Sequence, residues 1–273
     1  MSRSALAAGL LVVAALPGAM ALAHDFWLEP STFRPAAGAT VAVGLRVGED
    51  FLGDPVLRSS SSIERFVVRE RGRASDVGGV EGGDPAGWFR AREGAAVVAY
   101  ASHAAPVELP PQRFEAYLRR QGLEWVIAAR ARDGESGDPG RELFSRQAKA
   151  ILAGARPFGE ASRPFGLRYE IVPVGDPSFA ASTFRGRALY EGQPVSGALV
   201  TALLRGDPKL RLTTRSDRGG GFAFTLPRPG VWLVESVWMV EAPLFSRADW
   251  QSFWASLTFE TVPAPAPTPQ RQH

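Results

Sequence analysis

Histidines 24, 103 and 273 are the only imidazoles in a 273-residue chain that has no cysteine. Without thiolates, any transition-metal chemistry must rest on imidazole nitrogen and carboxylate oxygen. His24 is the strongest candidate because of what precedes it. Residues 21–23 read Ala-Leu-Ala, an A-x-A cleavage signal, behind Arg3 and an apolar stretch at 5–16 that Pro17 and Gly18 interrupt. Cleavage after Ala23 would leave His24 with a free α-amine beside its imidazole, two nitrogens able to chelate one Ni, Co or Cu ion. The α-amine, with an ordinary pKa near 8, gives up its proton to a metal at neutral pH. His103, in Tyr100-Ala101-Ser102-His103, is the second expected ligand. The competing reading of His103 is a loop histidine after a strand. Asp25, Glu29 and Asp50 are further oxygen donors. Phe26 occupies the third mature position, which excludes the square-planar amine-and-amide site that a histidine there would build.

Other chemistry is scarce. The chain has no G-x-S-x-G, phosphate-binding loop, H-E-x-x-H or dinucleotide fingerprint. The run Gly219-Gly220-Gly221 lies between two strand patterns and lacks the helix start that a phosphate cradle needs. Seven tryptophans suit either core packing or a carbohydrate groove. Glu241 and Asp249 lie near aromatic residues, and nothing marks them as an acid–base pair. A copper oxygenase built on His24 would need His103 to close its metal brace. The expectation is a protein that is not an enzyme.

Charge narrows the partners. The 31 basic and 28 acidic residues are interspersed, with a formal net charge of +3 and no Lys/Arg run, which argues against nucleic acid. Beyond residue 23 no apolar run approaches the roughly 18 residues of a membrane span. The expected location is the periplasm, or outside the cell.

The elements that must position these residues are mainly strands. Residues 40–47 alternate as a half-buried strand does, and 63–69 and 97–100 are further candidates. Residues 111–121 form a helix, with Pro near its start, Gly122 past its end, and Phe114, Tyr117 and Leu118 on one face. A second helix is expected over 142–152, where Phe144, Ala148 and Ile151 share a face. From 166 onward, alternation at Leu167-Tyr169-Ile171, Leu210-Leu212, Phe222-Phe224-Leu226 and Val231-Leu233 is broken by Gly/Pro/Asp turns. The expected architecture is mainly β: two β-sandwich-like domains, the first with two short helices inserted. Their ranges are 1–23 signal peptide, 24–160 N-terminal domain, 165–261 C-terminal sandwich, and 262–273 a Pro-rich flexible tail.

Four motifs in order resemble the bacterial exported proteins grouped as domain of unknown function 4198. They are HDFWLEP at 24–30, FEAYLRRQGL at 114–123, SRQAKA at 145–150 and DWQSFWASLTF at 249–259. Members of that group have been assigned to periplasmic nickel or cobalt uptake. The resemblance therefore implies metal binding or delivery to a membrane transporter or envelope protein, with His24 the natural first ligand. Trp238 stands where relatives often carry histidine, so a ligand of theirs is missing here. The segment GQPVSGALV at 192–200, with Thr214, Asp217 and GFAF at 221–224, resembles transthyretin-like or carboxypeptidase-regulatory-like sandwiches, which speaks to fold alone. The alternative to metal binding is a metal-independent protein- or glycan-binding module of the cell envelope.

Overall fold

A computed structural model describes residues 24–154, 159–175, 177 and 183–263. The expected signal and nearly all of the expected tail lie outside these residues. In chain order the first strands are β1 (Asp25–Pro30), β2 (Thr40–Glu49), β3 (Leu52–Val56), β4 (Ile63–Glu70), β5 (Arg73–Asp76), β6 (Gly87–Arg90), β7 (Ala96–Ser102) and β8 (Ala105–Leu109). Helices α1 (Pro111–Arg120) and α2 (Glu124–Arg132) follow, then β9 (Gly140–Leu152) and β10 (Tyr169–Pro173). The remainder is β11 (Thr183–Tyr190), β12 (Gln193–Pro194), β13 (Leu199–Leu204), β14 (Asp207–Arg215), β15 (Gly221–Thr225), β16 (Gly230–Glu241) and β17 (Trp250–Thr261). The chain is mainly β and sandwich-like with two helices, as its alternation and turns imply.

A nine-stranded sheet, in the order β14-β13-β16-β17-β9-β7-β4-β5 with β8 also on β9, is the shared layer. Its alternating side chains are apolar on both faces. Phe253, Ala255, Leu257 and Phe259 of β17 pack with Tyr169, Ile171 and Phe184 of the β10-β11-β12/β15 sheet. Ala148, Ala150 and Leu152 of β9 point the other way and pack with Phe26, Leu28 and Val43 of the β1-β2-β3/β6 sheet. Each large side chain so buried contributes roughly 1.5–3 kcal/mol. The ranges 24–160 and 165–261 thus each supply one outer sheet and share the middle one. The join is the parallel pairing of β17 with β9, from Trp250 opposite Glu142 to Thr258 opposite Ala150.

Residues 142–152 do not form the expected helix; they lie within strand β9. The strand is covered on both faces, so its two-residue period is masked, and Gln147, Ala148, Lys149 and Ala150 are good helix formers that tertiary context overrides. Lys149 is buried and its Nζ meets Glu170 Oε2 at 2.7 Å. Glu170 also accepts the Phe165 and Gly166 backbone N–H groups at 2.9 Å each, so the buried carboxylate is well supplied with donors.

The second helix is α2, over a stretch to which the sequence pattern assigns no element. It follows α1 through Gly122, whose φ of +68° suits glycine. The pair docks Phe114, Leu118, Leu123 and Val126 against Met239 and Trp254 at one end of the shared sheet.

Candidate functional site

Both predicted metal residues sit where β1 crosses the shared sheet. Asp25 lies opposite Gly48 in the β1–β2 ladder, so the preceding residue, His24, falls beside Glu49. His24 Nε2 is 3.6 Å from Glu49 Oε1, with the imidazole side chain 30% exposed. Arg120 Nη1 donates to the same Glu49 oxygen at 2.7 Å, and that hydrogen bond pulls the carboxyl below the ordinary glutamate range. Glu49 is therefore an ionised donor at neutral pH.

His103 owes its place to a β-bulge. Ala101 pairs with Gln147 and Ala105 with Phe144, so three residues, 102–104, oppose two on β9. A bulge bends its strand and re-aims side chains. The His103 ring is exposed, and its backbone N–H is held by Ser62 O at 2.9 Å. Across the bulge, Arg146 N donates to Ser102 Oγ at 2.9 Å.

Arg146 holds the main chain of His24 and lines one cavity with His103. Its Nη1 donates to the His24 carbonyl at 2.6 Å, and its guanidinium lies over Phe26, Phe144 and Trp254, 4.9 Å from the last ring. Burial pulls its pKa down to about 10. Arg146, His103, Phe26, Tyr100 and Phe144 line an apolar cavity of about 310 Å³ that opens between β2 and the bulge. Among the described residues, no group of three or more histidine, aspartate or glutamate side chains is arranged to hold a metal. His24 and Glu49 supply two donors, and His103 lies on the cavity rim.

Below this surface is a charged core that sequence reasoning missed. Asp25, named only as an oxygen donor, is buried and hydrogen-bonded to Glu235 of β16. Burial raises both carboxyls, Glu235 well above the ordinary value; the neighbouring Asp25 raises Glu235 further, whereas the hydrogen bond from Glu235 and the nearby arginines draw Asp25 part of the way back. Asp25 Oδ2 and Ser256 Oγ have no partner among the described residues and border a void of about 10 Å³, room for one water. Glu142 is buried nearer α1, where it accepts hydrogen bonds from Tyr117 Oη at 3.2 Å and from Ser252 Oγ. Trp254 Nε1 donates to Ser252 Oγ at 3.1 Å and stacks on Tyr117. Burial pushes the Glu142 carboxyl up to about 7. These groups left no signal in the pattern because charged residues at strand positions read as solvent-facing.

The other named residues have structural partners. Glu29 is held by Arg46 at 2.6 Å and Arg205 at 2.7 Å, and Asp50 by Arg211 at 3.0 Å. Trp27, Trp232, Trp250 and Trp254 are core residues, while Trp88 and Trp125 are partly exposed on separate elements. Trp238 is half-buried against the core it shares with Tyr169 and Phe184, and its ring lies 6.1 Å from that of Trp125.

A family model described as "Domain of unknown function (DUF4198)" matches residues 21–240. No curated protein matches. Among solved structures, the "D0-D1 domain of Intimin" is 12% identical, with 86% of this chain and 97% of that chain covered. Its TM-score is 0.19, a similarity too low to carry an argument.

Proposed function

The chain belongs to the DUF4198 family, and on that premise we propose that it is an exported, non-catalytic binding protein of the cell envelope whose cargo is a transition-metal ion, Ni, Co or Cu, taken at the processed N-terminus. The observation that carries this reading is the accessible His24 imidazole 3.6 Å from Glu49, on a main chain that Arg146 pins through the His24 carbonyl. Imidazole and carboxylate are two donors; the α-amine freed after Ala23 is the third, and it belongs to the same residue. His103, on the bulge across from Arg146, is the second imidazole of the proposal. Location in the periplasm, delivery to a membrane transporter, and transthyretin-like ancestry for the C-terminal strands belong to the same reading.

Isothermal titration of Ni, Co and Cu into protein starting at His24, against protein carrying one extra residue before it, tests the reading. The extension converts the amine to an amide and should weaken binding at least tenfold. Equal affinities for both proteins would defeat it. A His103→Ala variant, followed for Cu by EPR, reports whether the second imidazole takes part.

A second reading, a metal-independent binding module, draws on the apolar cavity of about 310 Å³ beside Phe26. That volume lies within the range of small-molecule sites. Envelope partners captured equally with and without a chelator would favour it.

A further inference from the structure

The loop joining β16 to β17 ends in an apolar point. Leu244 and Phe245 are 96% and 102% exposed, so nothing among the described residues covers them. They occupy the two central positions of a β-turn closed by Ser246 N donating to Pro243 O at 2.8 Å. Glycine, asparagine, aspartate and proline favour those positions, and turn formation gains nothing from two large apolar side chains.

The turn is rigidly mounted. Ala242 N donates to Asp249 O at 2.9 Å, and Asp249 N donates to Arg141 O at 2.9 Å. The Arg141 guanidinium grips the Asp249 carboxylate with two bonds, of 2.6 and 3.0 Å. Anchoring of the loop base limits the backbone freedom lost when this knob docks.

Beside the knob lies a cavity of about 560 Å³. The loop itself forms one wall, through Arg247 and Ala248, and β8 and β9 form the other, through Pro106, Val107, Glu108 and Leu143. Knob and hole therefore share one surface. That is the requirement of a two-fold interface, in which each copy presents the same patch to the other. Arg247 and Glu108 both line this cavity, and among the described residues neither forms a close ion pair, Glu108 acting on the Arg141 guanidinium only at longer range; a two-fold axis through the patch would bring charges of opposite sign from the two copies together.

We propose that this face is a homodimer interface, in which the Leu244–Phe245 tip of each copy fills the β8–β9 cavity of its partner. Two tips and the walls that receive them bury on the order of 1,200 Å², the lower end of stable interfaces. The proposal is independent of metal binding at His24.

Sedimentation equilibrium of the purified exported protein, from micromolar to millimolar, tests it. The expected result is a monomer–dimer equilibrium whose dissociation constant rises at least about 30-fold in the Leu244→Ser/Phe245→Ser variant. These side chains are fully exposed among the described residues, so unchanged circular dichroism is expected. Arg247→Glu and Glu108→Arg should each weaken the dimer, and their combination should restore it. A protein that stays monomeric at millimolar concentration overturns the proposal. So does a dimer indifferent to the tip variant, or a monomer whose tip instead carries it onto vesicles of anionic phospholipid.

Discussion

Replacing Glu142 by glutamine should remove a pH-dependent loss of stability that the native protein suffers between about pH 4.5 and pH 7. Burial raises this carboxyl from 4.5 to about 7, and the hydroxyls of Tyr117 and Ser252 offset only part of that cost. The folded chain therefore keeps a proton that the unfolded chain has released. Below the unfolded value the group costs nothing; as the pH climbs through the folded value, stability falls. The interval from 4.5 to about 7, at 1.36 kcal/mol per pH unit, amounts to about 3 kcal/mol. Because Glu142 is only 2% exposed, solvent screening discounts little of it. Glutamine keeps an acceptor oxygen for both hydroxyls and cannot ionise. Urea unfolding of both proteins at about pH 4 and about pH 8 supplies the numbers. The stability difference should move by about 3 kcal/mol in favour of Glu142→Gln on going to the higher pH. Asp25 and Glu235 shift in the same direction, but both proteins contain them, so the difference between profiles isolates position 142. Parallel pH profiles for the two proteins would refute the reasoning.

Lys149→Ala leaves Glu170 as a buried charge without its cation and should cost about 3–5 kcal/mol by chemical denaturation. Lys149→Met combined with Glu170→Gln, which keeps an acceptor for the Phe165 and Gly166 N–H groups, should recover most of that loss. Gly140→Ala places a methyl group against the Phe114 ring, which is fully buried and has no room to turn away. It should lower stability by about 1–3 kcal/mol and loosen α1, seen as faster amide exchange in that helix.

Strand alternation at 40–47 and 222–226 and the caps of α1 were legible because one face of each element is wetter or its ends carry Pro and Gly, while 63–69 was legible from its β-branched and aromatic residues although Phe66 and Val68 pack on one face and Val67 on the other. β9 was not. It is covered on both faces, and its Arg146, Lys149 and Glu142 imitate the polar side of a helix while each is buried against a partner contributed by a distant segment. His24 could be picked out from its position after the Ala-Leu-Ala signal, and its neighbour Glu49 follows from the β1–β2 register, which no single-sequence pattern specifies. His103 was placed after a strand, and that is where it lies; the bulge that turns it outward depends on pairing with β9. The Asp25–Glu235 contact joins residues 210 positions apart in different sheets, and nothing local announces it.

The parallel seam between β17 and β9 has a consequence for how this molecule comes into being. A chain emerging from its N-terminus completes β7, β8 and β9 early, yet the second side of β9 stays open until residues 250–258 arrive. During that interval a long row of backbone donors and acceptors waits, flanked by apolar side chains, and any stray strand can occupy it. Premature truncation anywhere before β17 should consequently yield an aggregating fragment and not a smaller stable domain.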